Sequence, residues 1–336
     1  MRWIMKKLVK SIMAISLAGC FLCAGAANAG DKVTLEFANV ANQSGKEAGA
    51  LLKKLVNEKT GGTLDLHIYN DNSYGDDRVA VESVILGEID MVNAPPSPIA
   101  NMMKDLYMYD APFIFDTPDD AFKWADSKEG QKLNSCVNKK GLKLLGVWQN
   151  GFRNFTNNKV AVKVPDQIKN MKVRTMENDI QLSMWKGWGS NPTPMAFTEV
   201  LSALQQGTID AQENPLALID SNHFYEVQKY ISLTGHVYSP HLVMINQEKF
   251  DSLSKEHQAA LLDAMQEATK FQRRRAVEID ETLEKKFTDN GNVIVELSKE
   301  DKEQWREKAI SGGVYDLVKS KMEHPELLDA CLKREY

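Results

Sequence analysis

Two arginines stand out among the residues able to do chemistry. Arg153 lies in Gly151-Phe152-Arg153-Asn154-Phe155-Thr156 and Arg174 in Met171-Lys172-Val173-Arg174-Thr175, both alternating in the manner of strands. An arginine inside a short strand of a compact domain needs a fixed partner, because burying an unpaired guanidinium is costly. Two kinds of partner answer that need: a structural Asp or Glu, or a bound anion. A guanidinium is a planar fork of donors that meets a carboxylate or sulfonate with two parallel hydrogen bonds. Asn214 could add an amide donor from the same region, and Phe197, after Pro194-Met195-Ala196, an apolar wall. The other aromatics nearby (Trp148, Phe152, Trp185, Trp188) read as core.

The common signatures of catalysis are missing. The sequence has no Gly-x-Ser-x-Gly elbow, no Gly-x-x-x-x-Gly-Lys phosphate loop, no His-Glu-x-x-His and no Gly-x-Gly-x-x-Gly after a strand. Its 6 histidines are scattered; His236 and His241 flank Tyr238-Ser239-Pro240, but no thiolate or carboxylate cluster completes a metal set. They read as core or surface residues, and neither a cofactor nor a metal is expected. A sequence pI near 5.8 argues against nucleic-acid binding through bulk charge. The 4 cysteines are too few for a disulfide scaffold.

The elements that must position these groups follow from periodicity. Val33 to Ala38 alternates as a strand; Ala48, Leu51, Leu52, Leu55 and Val56 share a helical face, and Gly61-Gly62 ends that helix. Leu64 to Tyr69 alternates again, Asp76 or Asp77 caps a helix that ends at Gly87, and Ile89 to Val92 is a short buried strand. This βαβαβ order implies a mostly parallel sheet covered by helices. Gly87-Glu88-Ile89-Asp90-Met91-Val92-Asn93-Ala94-Pro95 then recurs, weakly, as Gly207-Thr208-Ile209-Asp210-Ala211-Gln212-Glu213-Asn214-Pro215. A true repeat means two similar α/β lobes facing each other across a cleft, since open α/β sheets bind ligands at the carboxyl ends of their strands. From Ser254 to Thr288 the chain has neither Pro nor Gly, a helix of about 50 Å that outreaches one lobe and bridges both. The run Arg273-Arg274-Arg275 within it reads as a solvated face.

The first residues read as a secretion leader. Arg2, Lys6, Lys7 and Lys10 precede an apolar stretch from Ser11 to Ala24, and Ala27-Asn28-Ala29 is a small-x-small cleavage site. That stretch is shorter than the ~20 residues of a membrane span. Leu17-Ala18-Gly19-Cys20 offers a competing lipoprotein reading, but apolar residues continue past Cys20 to Ala27. Losing the leader's four cations takes the net charge from −5 to −9. Cys136 and Cys331 would then remain, as a disulfide or as two buried thiols.

The stretch from Trp148 to Pro215 resembles the periplasmic solute-binding proteins of TRAP (tripartite ATP-independent periplasmic) transporters, dicarboxylate-binding-protein type. The matching pieces are Gly151-Phe152-Arg153, Lys172-Val173-Arg174, Asn191-Pro192-Thr193-Pro194, Phe197-Thr198-Glu199-Val200, Ala203-Leu204-Gln205-Gln206-Gly207 and Ile209 to Pro215. Gly75-Asp76-Asp77-Arg78, Tyr225 to Tyr230 and the long helix extend the likeness over nearly all the mature chain. The resemblance implies a bilobal α/β fold joined by crossing strands: 1–29 a signal peptide, 31–151 plus 241–278 one lobe, 152–240 plus 279–336 the other. It implies a monomeric periplasmic receptor that closes on a small organic anion and delivers it to TRAP membrane subunits, with no reaction. Arg174 would clamp the acid, assisted by Arg153 and Asn214 and walled by Phe197; Asn42, Asn72, Asp77 and the loop from Ala94 to Ser97 would serve from the first lobe. The ligand is a sugar acid, a C4-dicarboxylate or a short sulfonate such as isethionate. A periplasmic enzyme acting on acids, or a sensor for a membrane signalling protein, is the alternative.

Overall fold

The computed structural model describes residues 32–40 and 42–336; the leader, its cleavage site and Cys20 lie outside the described residues. The strands are β1 (Val33–Asn39), β2 (Leu64–Asn70), β3 (Met91–Ala94), β4 (Leu142–Asn157) and β5 (Lys172–Thr175), followed by β6 (Asn191–Pro194), β7 (Ala211–Pro215), β8 (Tyr230–Ser232), β9 (Tyr238–Asn246) and β10 (Val293–Val295). They run in the order β2-β1-β3-β9-β4-β7-β5-β6, with β8 joining β4 to β10. The expected parallel unit is present, β1 pairing in parallel with both β2 and β3. The short buried strand starts two residues later than expected, at Met91, because Ile89 and Asp90 form the turn that leads into it.

Two strands serve both lobes. The first part of β4, Leu142 to Phe152, pairs antiparallel with β9, and the remainder, Arg153 to Asn157, pairs with β7 and β8. Register shifts at Leu144/Gly146 and Gln149/Gly151 bend β4 on its way between the two half-sheets. The long helix spans Lys255–Asp289, capped by Ser254, whose side chain accepts from the His257 amide. Its Leu261, Ala264, Met265 and Ala268 pack in one apolar cluster with β1 and β2, whereas Leu283 and Phe287 pack in another with Val200, Ile209 and Phe224. The helix therefore bridges both lobes. Its basic run is a correction to expectation. Arg273 forks onto Asp126 at 2.6 and 2.9 Å and donates to the Val147 carbonyl, and Arg275 pairs with Glu47 at 2.7 Å. Only the middle residue, Arg274, stays on a solvated face, because a helical turn carries its neighbours against the flanking helices.

The segment 97–140 shares an apolar cluster with the C-terminal helices Val314–Lys321 and Glu326–Leu332. Cys136 and Cys331 both belong to that cluster, as free buried thiols that burial pushes up to about 12.

The repeat is a structural one. Gly87 and Gly207 have φ of 76° and 68°, a backbone that glycine adopts without a Cβ penalty, and each follows a helix. Asp90 then accepts from the Glu36 amide and Asp210 from the Lys172 amide, both at 2.9 Å, so each aspartate pins its strand to the neighbouring parallel one. The strands that follow, β3 and β7, each lie between a parallel and an antiparallel neighbour. Removing either carboxylate strands one amide. We expect Asp90→Ala and Asp210→Ala each to cost about 1–3 kcal/mol and to combine additively, the sites being far apart. Chemical denaturation of the two single variants and the double variant measures both quantities.

Candidate functional site

The carboxyl ends of β1, β2, β3, β5 and β7 converge on one cavity, whose walls come from both lobes. Arg174 enters it from β5. Its backbone is held by pairing with Thr193 of β6, and its Nε and Nη2 both donate to the Met195 carbonyl, at 3.0 and 2.7 Å. That single acceptor takes one edge of the guanidinium. The remaining nitrogen, Nη1, is buried with no hydrogen-bond partner among the described residues, and the whole residue is 2% exposed. Phe197 faces the same group, its ring 5.9 Å from Cζ. Burial and the nearby charge of Arg153 lower the Arg174 pKa to about 10, with Glu213 and Asp77 opposing, so it remains a cation at neutral pH.

Arg153 is built differently. It sits on β4 opposite Pro215 of β7 and forks onto Glu213, Nε to Oε2 at 2.6 Å and Nη2 to Oε1 at 2.8 Å. Nη2 also donates to the Glu213 carbonyl and to Asn214 Oδ1. The structural-partner reading therefore accounts for most of this guanidinium. Glu213 lies fully buried and also meets His236 Nε2 at 3.0 Å. Burial alone would raise its pKa, but Arg153 and His236 outweigh that and hold it at about 2. Asn214 lines the cavity, yet its oxygen serves Arg153 and its Nδ2 donates to Gln212 Oε1 at 2.6 Å, which makes it a brace for Arg153.

The structure brings six of the expected residues around this cavity: Arg174, Arg153, Asn214, Phe197, Asn72 and Asp77. Three others do other work. Asn42 caps the helix Gln43–Lys59, its oxygen accepting from the Gly45 amide and the Ser44 hydroxyl. Ala94 is buried within β3, and its neighbour Pro95 lines the cavity instead. Ser97 donates to Asp110 Oδ1 at 2.6 Å, in a buried network with Asn178 and Gln181. Among the residues the sequence left unassigned, Asn150, Asn222 and His241 line the cavity. His241 is a correction: it is a wall residue of the cavity, and burial together with Arg153 lowers its pKa to about 3, so its imidazole is neutral. The alternation Ser239-Pro240-His241 along β9 was the one sequence signal that could have placed it.

One cluster elsewhere has the right residue types for a metal, Asp105 with Glu323 and His324. Asp105 is already satisfied there, accepting from both backbone amides and facing His324 Nδ1 at 2.8 Å.

The Arg153–Glu213 pair makes the site's own stability depend on acid. Glu213 stays ionised in the fold down to about 2, against an ordinary value of 4.5. Its contribution is complete above the ordinary value and is lost as pH falls from there towards the folded value. Glu213→Gln should cost about 3–5 kcal/mol at pH 7, because it leaves a buried guanidinium unmatched. It should also flatten the acid limb of the stability curve between pH 4.5 and about 2, read by thermal denaturation across that range.

Residues 36–313 match the model of the family described as bacterial extracellular solute-binding protein, family 7. The chain is 39% identical over 246 residues to the 2,3-diketo-L-gulonate-binding periplasmic protein YiaO of Escherichia coli, covering 73% of this chain and 75% of that protein. Among solved structures it is similar to the sugar acid binding protein of Advenella mimigardefordensis in complex with galactonate, at a TM-score of 0.86 and 31% identity, covering 90% of this chain and 99% of that one. It is also similar to a TRAP periplasmic solute binding protein of Sulfurospirillum deleyianum with bound succinate, at a TM-score of 0.84 and 28% identity, covering 90% and 99%. Fold, cleft and comparisons agree: the chain belongs to the family 7 extracellular solute-binding proteins of the TRAP type, a family of bilobal binders of small organic acids and not of enzymes.

Proposed function

We propose that this protein is a periplasmic receptor that captures a small organic acid between its lobes, holds the acid group on Arg174, and delivers it to a TRAP membrane transporter. The observation that carries this reading is the buried, unpartnered Nη1 of Arg174 facing a cavity between two lobes. A carboxylate oxygen there supplies both the hydrogen bond and the counter-charge that the chain itself withholds. Arg153 and Asn214 stiffen the wall behind it, and Phe197 covers the clamp. Closure follows because a ligand touching both lobes favours the shut arrangement over the open one. The bends in β4 and the strand β9 lie where such a motion would turn.

Further observations support the details. The partner switch of β4 after Phe152 and the division of the long helix between two apolar clusters favour lobes of about 31–151 plus 241–278 and 152–240 plus 279–336, the segment 97–140 packing across onto the C-terminal helices; 1–29 is read as a cleaved leader from the sequence. The similar proteins carry 2,3-diketo-L-gulonate in a name and galactonate or succinate in a crystal, all carboxylates, which favours a carboxylate over isethionate.

A thermal-shift panel of carboxylates and sulfonates tests the reading, since ligand at 100 times its Kd adds about 2.7 kcal/mol of stability. Truncating one partner of a buried charge pair typically costs about 2–5 kcal/mol. Arg174→Ala should therefore weaken binding of the hit at least ~30-fold in calorimetry while the protein still unfolds cooperatively. Unchanged affinity would remove Arg174 from the clamp, and turnover of the hit would replace the receptor with an enzyme.

A further inference from the structure

The acid clamp leaves part of the cavity's chemistry unused. Across from Arg174 stand Asp77 and Asn72, both from the other lobe. Asp77 opens the helix Asp77–Leu86, but Asp76 takes the capping role by accepting from the Val79 amide, so the Asp77 carboxylate is free of it. Its Oδ1 is buried without a hydrogen-bond partner among the described residues, and the residue is 9% exposed. Asn72 Nδ2 is buried and unpartnered in the same way. Asn72 stands at φ 56°, a left-handed backbone that asparagine tolerates, in a turn closed by the Gly75 amide on its carbonyl at 3.0 Å. One buried acceptor and one buried donor facing one cavity are what hydroxyl groups satisfy, since a hydroxyl donates once and accepts twice. A hydrocarbon chain would leave both groups unpaired.

Charge narrows the choice further. Arg153 is matched by Glu213, Asp71 at the rim is paired with Lys46, and His241 is neutral. Among the cavity's described residues that leaves Arg174 as the one unmatched cation, with Asp77 facing it. A first ligand carboxylate balances Arg174. A second would lie against Asp77 with no cation remaining. Burial raises the Asp77 pKa to about 7, with Arg174 opposing.

We propose that the ligand is a hydroxylated monocarboxylate of the aldonate kind, and that Asp77, with Asn72, selects it against dicarboxylates and against unsubstituted monocarboxylates. This rests on the Arg174 clamp and adds the other end of the ligand to it. The test is calorimetric titration of the full mature chain with galactonate, erythronate, succinate, butyrate and isethionate. Wild type should bind a hydroxy acid at least ~30-fold more tightly than succinate or butyrate. Asp77→Asn, of nearly the same shape, should narrow the hydroxy-acid-to-succinate ratio at least ~10-fold, and Asp77→Leu should lose hydroxy-acid binding while keeping its melting transition. Succinate or butyrate binding as tightly as the hydroxy acids, or a ratio unchanged in Asp77→Asn, overturns the selection by Asp77. Isethionate binding that depends on Arg174, with no hydroxy acid bound, overturns this proposal and leaves the clamp standing. Acid binding indifferent to Arg174→Ala removes the clamp, and this proposal with it.

Discussion

A guanidinium buried with one nitrogen unsatisfied is the constraint around which this molecule is arranged. Desolvating a cation is costly, and the chain could have relieved Arg174 with a carboxylate, as it relieves Arg153 with Glu213. It instead gives Arg174 one carbonyl, that of Met195, which fixes the orientation without neutralising the charge. The free nitrogen belongs to a residue that lines the cavity, which is what the proposed acid clamp rests on.

No carboxylate of the cleft forms an ion pair with Arg174 among the described residues, although Asp77 and Glu213 lie near enough to be felt by it. Glu213 is close enough to cancel a cation, and it is occupied by Arg153 and His236. Asn214 and Gln212 tie up the remaining polar atoms of that wall. The two arginines look alike in sequence but differ in the fold: one guanidinium is a structural ion pair that shapes the wall, and the other keeps a nitrogen unmatched, as the proposed clamp requires. A net charge of −5 over the whole chain matters little beside this, because distant surface charge is screened by salt over about 10 Å, while the cleft holds its field in a low dielectric.

The lobes that bear the two halves of the cleft use one device twice. A helix ends on a left-handed glycine, an aspartate locks the next strand to its parallel neighbour, and the strand ends at the cavity. In one lobe that strand leads to Pro95 at the wall; in the other it carries Glu213 and Asn214. The long helix and the strands β4 and β9 then connect two such units.

Much of this was legible before any coordinate. Periodicity, glycine stops and an Asp cap locate three helices (Gln43–Lys59, Asp77–Leu86 and Lys255–Asp289) and the strands β1, β2, β3 and β5 within about two residues, since those signals are local. The shorter helices and β6, β8 and β9 carry no such signal. The repeat and the unbroken stretch from Ser254 to Thr288 indicate two bridged lobes, and strand alternation around Arg153 and Arg174 marks the chemistry. What the sequence by itself determined is therefore the set of elements and the residue types that meet an anion. What only the tertiary structure decided is which polar groups are already matched. Glu213 adjoins Arg153 only because β4 and β7 pair in antiparallel register, Arg273 reaches Asp126 across 147 residues of chain, and Asn42 is consumed by its own helix cap. Whether a charge is free to bind depends on its neighbours in space, and those are set by pairing register and packing between segments far apart along the chain.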